Sequence, residues 1–307
     1  MPSLSTLRFS KLLRWRKAES SCLLAERNTT FDVAREHTIG GRKMLEDKSK
    51  DTESMRKRWN RHAERYDEWY KTFEGAVENH VDWELLKKYL PQDRDAKILD
   101  AAGGTGRMTL PLAKMGYSVT LCDISPGMLN VARQKLLRER VSDRVEILEC
   151  DVCRLRFADE SFDFVLCWDG MIEAAKELIR VIKKGGRISI FLMNKYGAAI
   201  KSFHEDPDSA LALLRTESKY IHDDEEKHTA VDVEEAKQLF EKEGIKVIEI
   251  YAVCGMLEFL SIPEKIRKSR SWDGKFFKQV TEMLLRLSKE PSTKGLSRHL
   301  VLYGERI

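Results

Sequence analysis

Lys97-Ile98-Leu99-Asp100 runs directly into Ala101-Ala102-Gly103-Gly104-Thr105-Gly106, and the reading of this stretch decides the fold. A short apolar run closed by an acid predicts a strand buried on both faces. Glycines then let the backbone turn sharply and approach a ligand that a Cβ would hold away. A helical stretch continues to Met115 and stops at Gly116, a position suited to a left-handed C-terminal residue. The unit then repeats. Tyr117–Cys122 reads as a strand closing on Asp123, and Pro126 sits in the first turn of a helix reaching Arg138, where its missing N–H costs nothing.

The alternation continues beyond this pair. Arg144–Leu148 predicts a third strand ending at Cys150-Asp151, and Phe162–Cys167 a fourth. Met171–Ile182 predicts a helix stopped by Gly185-Gly186, and Arg187–Met193 a fifth strand. After a polar, irregular insertion at 201–230, Asp232 and Glu235 form a capping box opening a helix to Glu243. Ile245–Val253 and His299–Gly304 complete seven strands, with a basic helical segment, Ile262–Lys289, between them and closed by Pro291. On the N-terminal side, Arg56–Tyr70 and Val81–Tyr89 read as helices, the second ending before Pro91. Strands alternating with helices imply an α/β fold, a doubly wound and mostly parallel sheet with helices on both faces. There are no internal repeats.

In such a sheet the ligand sits outside the carboxyl ends of the strands. The glycine loop fails the dinucleotide pattern G-x-G-x-x-G because position 109 is Thr, and no Gly-Lys-Ser/Thr follows to make a phosphate loop. Asp123, at the end of the second strand, can accept both hydroxyls of a ribose. Taken alone, it reads by default as a solvated acid in a turn.

Composition narrows the class. The chain has 307 residues, 42% hydrophobic and 34% charged, enough for a core and a well-solvated surface. No apolar run approaches the roughly 20 residues a spanning helix needs, so no membrane insertion is expected. The net charge of +4 is too small to imply nucleic acid by itself. Six cysteines (Cys22, Cys122, Cys150, Cys153, Cys167 and Cys254) without a secretory signal suit free thiols in a reducing cytoplasm. Cys150-Asp-Val-Cys153 has the spacing of half a zinc site, but nothing in the sequence completes it, and no metal is expected. Residues 1–50 read as a tail, either disordered or preceding a true start at Met44 or Met55. The Arg-rich, acid-free opening up to Glu19 also admits an organelle transit peptide, although it lacks a sustained apolar stripe. Residues 51–307 form the catalytic domain in this reading, with substrate-side insertions at 201–230 and 258–295.

Several motifs occur in order at βαβ spacing: Ile98-Leu-Asp-Ala-Ala-Gly-Gly-Thr-Gly106, Cys122-Asp-Ile-Ser-Pro-Gly-Met128, Cys150-Asp-Val152, Phe157-Ala-Asp-Glu-Ser-Phe-Asp-Phe-Val165 and Arg180-Val-Ile-Lys-Lys-Gly-Gly186. Over about residues 55–255 the series resembles the class I S-adenosylmethionine-dependent methyltransferases. The resemblance implies a seven-stranded Rossmann-like sheet with a helical lid, and S-adenosyl-L-methionine as cofactor. It places Asp100, Ala102, Gly103, Gly104 and Gly106 at the methionine part and Asp123 at the ribose. Ile124 and Met128 would flank the adenine, Asp151 and Val152 would meet it from the third strand, and Cys167 and Trp168 would close the pocket below. Tyr66 matches a lid tyrosine, and reads equally as one aromatic of an amphipathic helix. The sequence departs from the pattern in three places: Ala102 stands for the usual first glycine, Lys184 for the usual proline, and the segment Cys167–Arg180 is short.

An activated sulfonium methyl needs mainly alignment and desolvation, sometimes with a base. Asp169, Asn194 and His204, at or just beyond strand ends, are the candidates for one. Trp168-Asp169 is not the Asn/Asp-Pro-Pro-aromatic signature used on exocyclic amino groups of bases. The expected partner is a small-molecule methyl acceptor. Met193-Asn-Lys-Tyr-Gly197, Val253-Cys-Gly-Met-Leu257 and Gly295-Leu-Ser-Arg-His-Leu-Val301 are also similar to the bacterial tRNA methyltransferases that esterify 5-carboxymethoxyuridine. tRNA would suit the lysines and arginines of 265–278, interleaved with Trp272, Phe276 and Phe277. The same stretch fits an amphipathic helix with Phe276, Val280, Leu284 and Leu287 facing the core. A protein that binds the cofactor without catalysis is the third reading.

Overall fold

The run that enters the glycine loop is the central strand of the sheet. The computed structural model describes residues 41–168, 172–204, 206–215, 220–223, 226–253, 257, 260, 262–267, 272 and 274–307. Asp47–Ile307 form one compact unit. The expectations for residues 1–40 and for Asp169 lie outside the described residues.

Strand β1 (Lys97–Ala101) lies between β2 (Ser118–Asp123) and β4 (Phe162–Cys167), parallel to both. Strand β3 (Val145–Glu149) extends the sheet beyond β2, and β5 (Ile182–Asn194) beyond β4, again in parallel. Strand β9 (His299–Arg306) pairs antiparallel with β5 and with β8 (Ile245–Val253). This gives the expected seven strands. Side chains alternate between two cores, as a period of two requires. Leu99, Val165, Cys167, Leu300 and Leu302 face one apolar cluster, and Ile98, Phe164, Leu166, Val301 and Tyr303 the other.

Helices cover both faces. On one side α5 (Ala175–Val181) contributes Leu178 and Ile179, and α8 (Val233–Lys242) contributes Ala236 and Phe240. On the other lie α2 (Phe73–Leu86), α3 (Thr109–Lys114) and α10 (Gly274–Leu287), with Phe73, Val77, Leu85, Leu112, Val280 and Leu284 buried. Helix α4 (Pro126–Arg138) carries proline at its start, and Ser125 caps it by accepting from Met128 N. Helix α8 opens on the expected capping box of Asp232 and Glu235.

Four boundaries correct the sequence reading. Helix α2 starts at Phe73, where Thr72 accepts from Gly75 N, and not at Val81. The helix expected over Arg56–Tyr70 is instead the end of a longer helix α1 (Gly41–Tyr66), and Tyr70 falls in a separate turn at Trp69–Lys71. Helix α5 ends at Val181, and Gly185-Gly186 lie within β5 at a register shift between Phe162 and Phe164. Ile182 already pairs with Phe162, so the glycines accommodate a bulge (φ of Gly185 is +76°) and do not terminate a helix. The insertion at 201–230 is not irregular. It holds α7 (Pro207–Leu214) and a hairpin of β6 (Tyr220–Asp223) and β7 (Glu226–Val231), following α6 (Lys195–Ser202). Strand β7 pairs with the end of β5 through Ala230 and Val231, so the sheet among the described residues has nine strands.

The basic segment divides into α9 (Glu264–Arg267) and α10, and Pro291 opens α11 (Pro291–Leu296) where it was expected to close a helix. Within α10, Val280 and Leu284 are buried and Phe276 and Phe277 pack against the same core, while Lys275 and Lys278 are exposed. Both rings are only partly buried, and Phe277 also lines a cavity with Tyr70 and Trp83. No helix among the described residues is long and apolar enough to cross a membrane.

Candidate active site

The three acids named by the sequence end up side by side because β1, β2 and β3 are adjacent and parallel, so their carboxyl ends share one edge. Asp100 is 2% exposed, and Thr109 Oγ1 donates to its Oδ2 at 2.5 Å. Burial pushes its carboxyl up to about 6, opposed by the Thr109 hydrogen bond and the nearby Arg107, and helped by the neighbouring Asp123. Asp100 therefore sits beneath the loop as a wedge. A Cβ on Gly103 would lie 2.6 Å from Asp100 Cγ and 2.3 Å from Leu121 Cδ1, which is why only glycine fits there.

The loop backbone passes through left-handed conformations at Ala102 (φ 54°), Gly104 (φ 53°) and Gly106 (φ 74°). Ala102 stands where a residue without Cβ would be unstrained. Gly103 N donates to Cys122 O at 3.1 Å and Gly106 N to Gly103 O at 2.8 Å, which closes the turn. Gly104 N donates to Asp123 Oδ2 at 2.9 Å, and Ser125 N to Asp123 Oδ1 at 2.8 Å. Burial raises the Asp123 carboxyl, and the amides of Ser125, Gly104 and Ile124 counter it. A Cβ on Gly104 would be 4.0 Å from both Asp123 Oδ2 and Met128 Sδ, the open side of the loop.

At the next strand end Cys150 N donates to Asp123 O, and Asp151 Oδ1 accepts from Cys153 N at 2.9 Å. Val152 is buried, and Met128 is buried at the start of α4. The Cys122 thiol is pushed up by its hydrogen bond with Cys150 and by burial. None of Cys122, Cys150, Cys153 and Cys167 is in a disulfide, and no three metal-ligating side chains cluster among the described residues.

Helix α1 reaches this edge through polar contacts. Asn60 Oδ1 accepts from Ser125 Oγ and Gly127 N, both at 2.8 Å. Asp67 accepts from Thr105 Oγ1 at 2.7 Å and from Lys135 Nζ at 2.9 Å. Tyr66 lies in an aromatic cluster, its ring 6.0 Å from Trp59 and 5.8 Å from Tyr70. The sequence reading singled out Tyr66 but missed Asn60 and Asp67. The only signal was the adjacency of Asp67 to Tyr66.

Of the two residues expected to close the pocket, Cys167 is buried beside Ala101, in the apolar cluster that also holds Val152 and against which Ala102 packs. Trp168 turns toward the opposite core, stacking on Phe191 at 4.5 Å and donating from Nε1 to Ser189 Oγ at 2.8 Å. Of the candidate bases, Asn194 is fully buried and its Nδ2 donates to the carbonyls of Lys294, Gly295 and Ser297. These bonds from Nδ2 hold the α11–β9 turn, while Oδ1 is buried with no hydrogen-bond partner among the described residues. His204 is exposed beyond α6.

A buried charge pair went unnoticed in the sequence. Arg107, the residue after Gly106, reaches Asp82 in α2 at 2.8 Å and Asn79 at 3.3 Å. Its guanidinium lies 4.8 Å from the Tyr70 ring centroid and 5.5 Å from that of Trp168. Burial raises the Asp82 carboxyl, and the Arg107 charge opposes the shift.

The comparisons fit this geometry. Residues 98–186, from β1 into β5, match the family model described as a methyltransferase domain. Over 141 residues the chain is 33% identical to the ubiquinone/menaquinone biosynthesis C-methyltransferase UbiE of Pseudomonas paraeruginosa, covering 43% of this chain and 55% of that protein. It is 44% identical over 100 residues to the demethylmenaquinone methyltransferase of Clavibacter sepedonicus, covering 31% of this chain and 40% of that one. The chain thus spans about half the length of the curated relatives it matches. Among solved structures, a SAM-dependent methyltransferase of Thermotoga maritima, described as a possible histamine N-methyltransferase, superposes with a TM-score of 0.53 at 17% identity. The match covers 81% of this chain and 98% of that one, and it speaks for the fold. With the motif series, the strand order and the family match in agreement, this chain carries a class I S-adenosylmethionine-dependent methyltransferase domain.

Proposed function

We propose that the protein transfers a methyl group from S-adenosyl-L-methionine to a small-molecule acceptor. One observation carries the reading: Asp123, held by Gly104 N, closes one wall of an open space beside the glycine loop, with Asp151 at the adjacent strand end. A carboxylate fixed by backbone amides is set to accept from ribose hydroxyls, and Met128 offers an apolar surface for a base. The backbone of Ala102–Gly104 is free of bulk where the amino-acid part would approach. The cofactor supplies an activated methyl on sulfur. The residues bind, orient and exclude water, and no general base is needed where the acceptor is already nucleophilic.

The small-molecule choice is supported by α10, where Phe276 packs against the core and the exposed face mixes Lys275, Lys278 and Arg286 with Glu282 and Met283, so it is not a purely basic surface. The names of the quinone-pathway relatives make electron-rich rings, methylated at carbon, the first acceptors to try. The test is turnover of radiolabelled S-adenosylmethionine against a panel of phenols, hydroquinones and carboxylic acids, with bulk tRNA in parallel. Methyl transfer to one small-molecule class supports the reading. Transfer to tRNA alone, or cofactor binding without any turnover, would refute it.

A further inference from the structure

Beside the glycine loop lies a second feature that cofactor binding leaves unexplained. The guanidinium of Arg107 is fixed on one edge, where Nη1 donates to Asp82 and Asn79, and its carbon lies over the Tyr70 and Trp168 rings. Within the described residues, Nε and Nη2 make no hydrogen bond, and Arg107 lines a cavity of about 310 Å³. The cavity has aromatic walls from Tyr70, Trp83 and Phe277, polar groups from Asn79 and His80, and no acidic residue in its lining. Its volume is that of a small-molecule site.

A buried ion pair is a costly way to join two helices, because apolar side chains of similar size would serve as well or better. Here the pair does something else. Asp82 occupies one nitrogen and steadies the group, and the Nε–Nη2 edge, the side-on fork that matches a planar carboxylate, makes no hydrogen bond among the described residues while Arg107 lines the aromatic cavity. Arg107 immediately follows Gly106, so the same rigid turn that would hold the cofactor positions this fork.

We propose that this cavity is an acceptor subsite for an aromatic carboxylate, with Arg107 as the specificity-determining residue. The proposal rests on the small-molecule methyltransferase reading and narrows its substrate class.

Naphthoate and its neutral amide are suitable probes, titrated calorimetrically into the full-length protein saturated with S-adenosylhomocysteine. Wild type binds naphthoate at least tenfold more tightly than naphthamide. The double variant Asp82→Asn/Arg107→Met, which removes both charges so that neither is left buried alone, loses that preference and keeps its affinity for S-adenosylhomocysteine. A second variant, Ala76→Leu, fills the cavity from α2 and abolishes naphthoate binding with the charge pair intact. Absence of a carboxylate preference in wild type overturns the proposal. So does a double variant that loses S-adenosylhomocysteine instead, since the carboxylate read by Arg107 would then be the cofactor's own. Binding of S-adenosylhomocysteine alone reports separately on the methyltransferase reading.

Discussion

Alanine at Gly103 and alanine at Gly104 add the same methyl group one residue apart, and the structure assigns them opposite consequences. At Gly103 the new Cβ lies 2.3 Å from Leu121 Cδ1 and 2.6 Å from Asp100 Cγ. Both neighbours are buried, Leu121 at 0% and Asp100 at 2% exposure. Overpacking of this kind costs about 1–3 kcal/mol, and for a domain of this size each kcal/mol lowers Tm by roughly 2–4 °C. The expected loss is therefore about 2–12 °C. At Gly104 the Cβ meets nothing closer than 4.0 Å. The cost is a left-handed alanine at φ +53°, about 1–2 kcal/mol, reduced by about 0.4–1 kcal/mol through the stiffer unfolded chain. The methyl instead enters the space between Asp123 and Met128. Gly104→Ala should therefore keep a Tm within roughly 6 °C of wild type while binding S-adenosylhomocysteine at least about tenfold more weakly, or 1.4 kcal/mol. Differential scanning fluorimetry without ligand and calorimetry with it read the two effects separately. Wild-type affinity in Gly104→Ala would refute the placement of the ligand against this loop.

Three further expectations follow from individual residues. Ala102→Gly relieves the left-handed alanine at φ 54° but loosens the unfolded chain by about 0.4–1 kcal/mol. Its Tm should stay level or rise slightly, and a clear fall in the melting scan would contradict the strain. Asn194→Asp turns an acceptor-only carboxylate toward three carbonyl oxygens. It should lose roughly 3 kcal/mol or more, read as a fall in urea midpoint, whereas a stable variant lacking only turnover would restore a catalytic role. The buried Asp100 carboxyl, raised from 3.8 to about 6, binds its proton more tightly folded than unfolded. Its contribution to stability is full below pH about 3.8 and lost as pH rises through about 6, a swing of order 3 kcal/mol. Asp100→Asn should thus gain stability relative to wild type between pH 5 and pH 7.5 in paired urea titrations, and a constant difference would contradict the shift.

Much of this was legible because it is written in short-range patterns. Phe162–Cys167 and Ile245–Val253 are apolar runs between turn signals, and their strands fall on those residues. The glycine loop, Asp123 and Asp151 were readable because a parallel sheet places successive strand ends on one edge. What escaped depends on partners distant in sequence or on weak local signals. Arg107 and Asp82 are 25 residues apart, and nothing about either residue alone announces a buried pair. Asn194 reads in sequence only as a strand-end polar residue, and the turn about a hundred residues later that takes up its Nδ2 could not be foreseen. The β6–β7 hairpin is largely polar and pairs at the sheet margin, so it carries little apolar periodicity to reveal it. Helix α1 was visible, but its docking through Asn60 and Asp67 was not, because single hydrogen bonds leave no periodic trace.

Titration of S-adenosylhomocysteine into the purified full-length protein and its Asp123→Ala variant tests the central claim most directly. The account predicts saturable one-to-one binding to wild type and at least about tenfold weaker binding to the variant, from loss of charge-assisted hydrogen bonds worth roughly 1.5–3 kcal/mol. Absence of binding to wild type, or equal affinity in the two proteins, would contradict it.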